Sequence, residues 1–353
     1  MSFYQALQLD PMTLYKYRKN AENKKEKNFY LSALLVRDVL LVLFSIIFIS
    51  LLTTLFSSQN SSMAVVLFCI LLSIRFVDFG YHIKDSILSL VIILSLLLIS
   101  PLLMQKVSLL GGVVINFISL FTILVLSCEN PEMGNGGLYL FGYVFLSGTQ
   151  INFSTFVLRF YMTLVGLIIL GSILYIKHKE KNSETTLIHI LKHFSLADHK
   201  YQWQLQATCG MTLFFLFARI ISLERFMWAG FACSSMLTCY PLKMRHRIFQ
   251  RLSGICVGSI LFLVIVQILP TTIISYFGII AGLCLGLVSS YHHKTIFNCF
   301  GALLTASSLY GVQSAVYLRI FNNFMGLLFA VIFILIFQFT IKQNKLNIKK
   351  INS

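Results

Sequence analysis

Beyond Tyr30 the chain is a close succession of apolar stretches, each near the length of about 20 residues that an α-helix needs to cross roughly 30 Å of hydrocarbon. Inside a bilayer no water pairs with backbone N–H and C=O groups, so a stretch of this kind must satisfy them within its own helix. The stretches are residues 33–56, 63–81, 86–104, 107–128, 137–155 and 156–176, then 206–223, 226–240, 252–269, 271–290, 294–314 and 321–341. They predict an all-α fold, a polytopic integral membrane protein with about 12 transmembrane helices. Only 11% of the 353 residues are charged, against about 25% in a typical soluble domain, and this excludes a sizeable water-soluble fold.

The net charge of +16 would suggest nucleic acid in a soluble protein, but here Lys and Arg cluster at the ends of the apolar stretches. That distribution points to lipid headgroups as partners and to no nucleic acid. It also orients the chain, because Lys and Arg favour cytoplasmic loops. With the N-terminus inside, all 28 lie on the cytoplasmic side except Lys106, Arg159, Arg219, Arg225 and Arg319. Both termini are therefore expected in the cytoplasm of a multi-pass protein of the plasma or inner membrane. The basic segment 1–32 shows no removable signal peptide, a cytoplasmic linker covers 177–205, and a second basic tail covers 342–353. The eight cysteines are scattered singly with no Cys-x-x-Cys pair, which reads as helix packing and implies no metal and no cofactor.

Two halves are discernible, 33–176 and 206–341, each with six stretches. Leu158-Arg159-x6-Gly166 recurs as Leu318-Arg319-x6-Gly326, and Ser147 and Gly148 recur as Ser307 and Ser308. Six helices per half give both repeats the same orientation, with a pathway expected between them.

The stretch from Trp228 to Leu269 opens with a Trp, reaches Pro241, passes a basic loop with Lys243, Arg245 and Arg247, and continues as Arg251-x2-Gly254-x3-Gly258. This resembles the signature of the fusaric acid resistance and aromatic acid exporter family, most directly over residues 206–341. The resemblance implies an exporter of hydrophobic, often aromatic, organic acids and no enzyme, and the absence of a Gly-x4-Gly-Lys-Ser/Thr loop from the sequence leads to the expectation of secondary transport. Family members often carry large cytoplasmic domains, whereas this chain has short loops, so it resembles a compact form. Read without the family, Gly254 and Gly258 share one helix face and admit a close neighbour, as Gly166 and Gly326 would. Lys243, Arg245, Arg247 and Arg251 form a cytoplasmic basic rim that either fixes topology or also attracts anions.

Candidate substrate-binding residues come from the fifth stretch of each half and the arginine that follows it. These stretches are rich in Gly, Ser, Thr, Asn and Gln, which suits either a wet cavity or close helix packing. They supply Ser147, Gln150 and Asn152 in the first half and Ser307, Ser308 and Gln313 in the second, with Gly142, Gly148, Gly301 and Gly311 as sites for a break. Arg159, Arg219 and Arg319 lie inside apolar stretches, where each either snorkels to the surface or binds a carboxylate, and the repeat singles out Arg159 and Arg319. Two other classes stay open: a scaffold or lipid-handling partner of envelope synthesis, and a membrane-embedded enzyme using Glu129 and Glu132 or His292 and His293. The small-residue faces suit contacts between copies as well, so a homo-oligomer is among the expectations.

Overall fold

The computed structural model describes residues 1–181, 184–193, 195, 198–239, 244–274 and 276–351, and side chains as far as Thr340 with Thr271 excepted. Among them there is no strand, and the chain is helical almost throughout. The helices are α1 (Phe3–Leu7), α2 (Pro11–Asn20), α3 (Lys24–Phe56), α4 (Ser61–Ile74), α5 (Ile83–Lys106), α6 (Leu109–Ser127), α7 (Asn135–Ser147) and α8 (Phe153–His178). They continue as α9 (Leu187–Lys192), α10 (His199–Ile220), α11 (Phe226–Leu237), α12 (Met244–Ile268), α13 (Thr271–Ile274), α14 (Phe277–Leu287), α15 (Tyr291–Tyr310) and α16 (Val312–Ile351).

Among the described residues six helices are long and apolar enough to cross a bilayer: α3, α5, α6, α8, α12 and the Val312–Thr340 part of α16. Shorter apolar helices fall at Ser58–Ile74, α11 and α14. On α3, Leu35, Leu40, Leu43, Ile47, Leu51 and Leu55 are all exposed, an apolar band that water would not tolerate and lipid covers. The chain is a multi-pass membrane protein.

Each predicted stretch falls on helix, with four differences, one being that 294–314 passes from α15 into α16 at Gly311, which adopts φ +78°. The stretch 63–81 is helical only to Ile74, because Asp78 Oδ1 accepts from the Gly80 amide (2.9 Å) and Gly80 adopts φ +92°, folding residues 75–82 into a turn. The stretch 137–155 is divided, since α7 ends at Ser147 and Asn152 caps a new helix by accepting from the Thr155 amide (2.8 Å). In 271–290 two short helices, α13 and α14, stand in place of one.

The chain divides into two compact units, residues 1–48 with 245–321, and residues 49–244 with 322–353. In the first, Ala6 and Leu14 of the capped helices α1 and α2 pack on Ala33 and Leu34 of α3. Gly254 and Gly258 seat α12 on α15 there, since a Cβ at Gly258 would stand 2.7 Å from the Ile296 carbonyl oxygen. In the second unit α5 packs on α6 and α8, and α6 on α10, around a core that includes Leu67, Leu94, Leu120, Leu124, Tyr143 and Phe214.

Candidate functional site

The ends of several helices in the second unit enclose a cavity of about 380 Å³, near the lower end of the range of volumes typical of small-ligand sites. Met104 and Gln105 close α5, Leu109 and Gly112 open α6, Ser147 ends α7, Arg219 ends α10 and Phe226 opens α11. Such a meeting point is polar for a reason rooted in backbone chemistry: the last four carbonyls of a helix have no intrahelical donor. Arg219 supplies donors to them. Its Nη1 bonds the Met104 carbonyl (3.0 Å) and its Nη2 the Val107 carbonyl (2.7 Å), with a longer contact to Ser108 O (3.5 Å). Gly112 makes room, because a Cβ there would come 3.1 Å from Arg219 Nη1.

Among the described residues Arg219 is the one charged side chain in the lining, and it keeps N–H donors beyond those three carbonyl contacts. Around it stand neutral polar groups with assigned partners. Asn116 accepts from the Tyr143 hydroxyl (2.7 Å) through Oδ1, so its amide nitrogen is the end available to a ligand. Gln105 donates to the Ser147 carbonyl (3.0 Å), leaving its oxygen. The Ser147 hydroxyl donates to the Tyr143 carbonyl (2.7 Å). Phe215 and Phe226, edge to face with centroids 6.1 Å apart, join Leu109, Val113, Leu216 and Leu223 as the apolar wall. One cation, amide donors and aromatic rings together suit a hydrophobic anion.

A second layer holds this lining. Arg159 is 1% exposed and has turned inward, not to the surface. Its Nε donates to Asn60 Oδ1 (2.8 Å), and its Nη1 and Nη2 reach Thr149 Oγ1 (3.4 Å each). Asn60 in turn donates to the carbonyls of Phe56 (2.8 Å) and Thr155 (3.1 Å). Arg159 thus grips the segment whose other residues, Ser147, Gly148 and Gln150, line the cavity. On the opposite wall the turn between α10 and α11 contains Ser222 at φ +49° and Arg225 at φ +53°, left-handed conformations that side chains disfavour. It is pinned by Asn322 of α16, which donates to the Glu224 carbonyl (3.1 Å).

Of the residues singled out from sequence, Ser147 and Gln150 line the cavity, and Arg159 supports it. Asn152 is exposed and serves as the cap of α8. Ser307, Ser308, Gln313 and Arg319 belong to the other unit and are absent from this lining. The hydroxyls of Ser307 and Ser308 bond back to Leu304 O (2.9 Å) and Thr305 O (2.8 Å) of their own helix, and Gln313 is exposed. Arg319 is buried beside Cys299, well inside α15, away from the α15–α16 turn. Gly142 and Gly301 lie within unbroken helix, whereas Gly148 and Gly311 mark helix ends, Gly311 at φ +78°. In the basic rim, Arg251 donates to the Tyr291 hydroxyl (2.8 Å), Arg247 stacks over the Tyr291 ring (4.6 Å), Arg245 is exposed, and Lys243 lies outside the described residues. Gly166 receives Leu67, and Gly326 abuts the Ala229 carbonyl of α11. The residues that sequence reasoning passed over are Gln105, Asn116 and Ser222, with Arg219 noticed but not chosen. Their signal is position at helix ends, which emerges only when boundaries are known.

Two of the groups considered for catalysis, Glu129 and His292, are separately engaged. Glu129 pairs with Lys200 (2.7 Å), and His292 meets the Ser253 hydroxyl (3.0 Å) in the other unit. Among the described residues no group of three His, Cys, Asp or Glu could hold a metal ion.

Residues 212–333 match a family described as fusaric acid resistance protein-like. No curated protein and no solved structure matches the chain. The matched segment contributes Arg219, Phe215, Ser222 and Phe226 to the cavity.

Proposed function

We propose, from the match of residues 212–333 to a family described as fusaric acid resistance protein-like, that this chain is a membrane transporter that binds hydrophobic organic anions, aromatic carboxylates foremost, and exports them. The observation that carries the reading is Arg219, a lone cation in an aromatic and otherwise neutral cavity of about 380 Å³. A carboxylate placed there would meet the remaining guanidinium N–H groups and the Asn116 amide, while its ring lies against Phe215 and Phe226.

In the arrangement we favour, the twelve stretches cross the bilayer in two like-oriented sets of six with both termini in the cytoplasm. The C-terminal ends of α5, α7 and α10 would then share the outer side. The cavity at those ends would face the side of release, and the basic rim of Arg245, Arg247 and Arg251 the side of loading. The secondary character of transport rests on the absence of a phosphate-binding Gly-x4-Gly-Lys loop from the sequence.

The test is efflux of labelled benzoate from cells with and without the full-length protein, alongside Arg219→Gln. Protein-dependent efflux that Arg219→Gln reduces supports the reading. Normal efflux by a correctly inserted Arg219→Gln variant would remove the cavity from the mechanism, and no protein-dependent efflux of any aromatic carboxylate would favour a scaffold.

A further inference from the structure

The first unit contains one acidic side chain in an environment unlike any other. Asp38 lies on α3 at the start of its unbroken apolar run, and it is 2% exposed. Its Oδ1 has no hydrogen-bond donor within reach. The same oxygen rests on Gly286 of α14, in the space that any side chain at residue 286 would fill. One turn along, Val42 lies over Gly282, 3.7 Å from where a Cβ would stand. Steps of four in opposite directions show that α3 runs antiparallel along a face of α14 on which Gly278, Gly282 and Gly286 recur, with the carboxyl group seated on the last glycine.

An ionised carboxylate is poorly matched to this seat. Burying a charge without a donor or a counter-ion is strongly unfavourable. Gly286 is next to the C-terminal residue of α14, where the helix presents the negative end of its dipole and carbonyls that lack intrahelical donors. A protonated carboxyl reverses each of these terms: it carries no charge, and its O–H can donate to one of those carbonyls. The neighbouring groups do not overturn the balance. Arg37, which precedes Asp38 on α3, favours the ionised form, but burial outweighs it; Cys284 lies on α14, and Tyr15 of α2 already donates to the Leu287 carbonyl (2.9 Å).

We propose that Asp38 is a reversible proton-binding site, closed when α3 sits on the glycine face of α14 and open when the two separate. In the closed arrangement one proton from water forms an O–H bond at an Asp38 oxygen. On separation that bond breaks, the proton returns to water, and the carboxylate is hydrated. The inference deepens the transporter reading, on which its consequence rests: the proton is the coupling ion, and Asp38 is where it binds.

The experiment uses the full-length protein in lipid vesicles, with two readouts. Infrared difference spectra between acidic and alkaline pH should show a protonated-carboxyl C=O band that is lost in Asp38→Asn, which preserves shape, and moved in Asp38→Glu. A pH-sensitive dye should report proton movement that accompanies a gradient of benzoate in wild type and vanishes in Asp38→Asn. An unchanged infrared band in a folded Asp38→Asn overturns the site. Benzoate flux that needs Arg219 but is indifferent to Asp38 overturns the coupling and leaves the transporter reading intact. A band lost in Asp38→Asn without any wild-type flux of benzoate does the opposite: proton binding stands and transport of this anion fails.

Discussion

Replacing Arg219 separates its two structural duties by size. Its two shorter bonds, to Met104 O at 3.0 Å and Val107 O at 2.7 Å, close the C-terminal end of α5. The residue is exposed, so each bond belongs at the weak end of the range, about 1 kcal/mol, for a total of about 2 kcal/mol. A carboxylate ligand loses more, because a hydrogen bond between charged partners contributes about 1.5–3 kcal/mol, or roughly a 10- to 150-fold change in Kd. Arg219→Gln keeps one amide donor for a carbonyl but no charge, so it should retain most of the stability and lose most of the affinity. Arg219→Lys keeps the charge but cannot bridge two carbonyls and a ligand at once, and should fall between. The assay is benzoate binding to the purified protein in lipid nanodiscs, paired with thermal unfolding of the same samples. A Kd for Arg219→Gln within about twofold of wild type, with unfolding unaltered, would refute the reasoning, since a factor of two corresponds to only about 0.4 kcal/mol.

Three further substitutions test the surrounding structure. Asn60→Ala removes the acceptor of Arg159 Nε and the donor to Phe56 and Thr155 from a site that is 0% exposed, so thermal unfolding should report a loss of about 3 kcal/mol or more; a loss below about 1 kcal/mol would show that the network is idle. Gly258→Val forces β-carbons against the Ile296 carbonyl and should cost about 1–3 kcal/mol, visible as a lower unfolding temperature, whereas an unchanged temperature would mean α12 and α15 are not in contact. Lys200 gives a pH signature. Burial alone would lower its pKa, but the hydrogen bonds to Glu129 and Tyr201 and their charges hold it above the ordinary 10.5. Its stabilisation is therefore fully present below pH 10.5 and is lost as pH rises through the raised folded value. Unfolding followed against alkaline pH should show that step in wild type and not in Glu129→Gln; an identical step in both would disconnect it from the pair.

The helices were legible because hydrocarbon leaves an apolar run of bilayer length no other way to satisfy its backbone, and the family match over residues 212–333 was legible as a resemblance from Arg251, Gly254 and Gly258 with the preceding basic loop. Helix ends were less so. The stretch 137–155 reads as one apolar run, yet a polar group at Asn152 suffices to start a new helix, and the resulting turn brings Ser147, Gly148 and Gln150 to a cavity while sending Asn152 to the surface. Asp38 shows the same limit. Its place in the sequence, next to Arg37, suggests an interfacial charge, and nothing in α3 itself announces Gly286, some 250 positions away. The repeat-based pairing of Arg159 with Arg319 treated like surroundings in sequence as like surroundings in space. Arg159 finds Asn60 and Thr149, while Arg319 lies beside Cys299, so a shared Arg-x6-Gly context in sequence does not bring the same partners.

Arg219 belongs at once to the cavity and to the helix end beside it, and this sets how the site can respond to an occupant. Its carbonyl bonds sum to about 2 kcal/mol, and a carboxylate meeting the remaining N–H groups contributes about 1.5–3 kcal/mol. An arriving anion therefore adds to the α5 terminus as a further partner of one shared charge. Binding is weaker than to a guanidinium with no prior partners, because the carbonyls of Met104 and Val107 already draw on that charge and hold its geometry. A deeper cation with no prior partners would hold the anion more tightly and release it more slowly. If the chain transports anions as proposed, a charge already engaged by a helix end keeps affinity in the range where release remains possible.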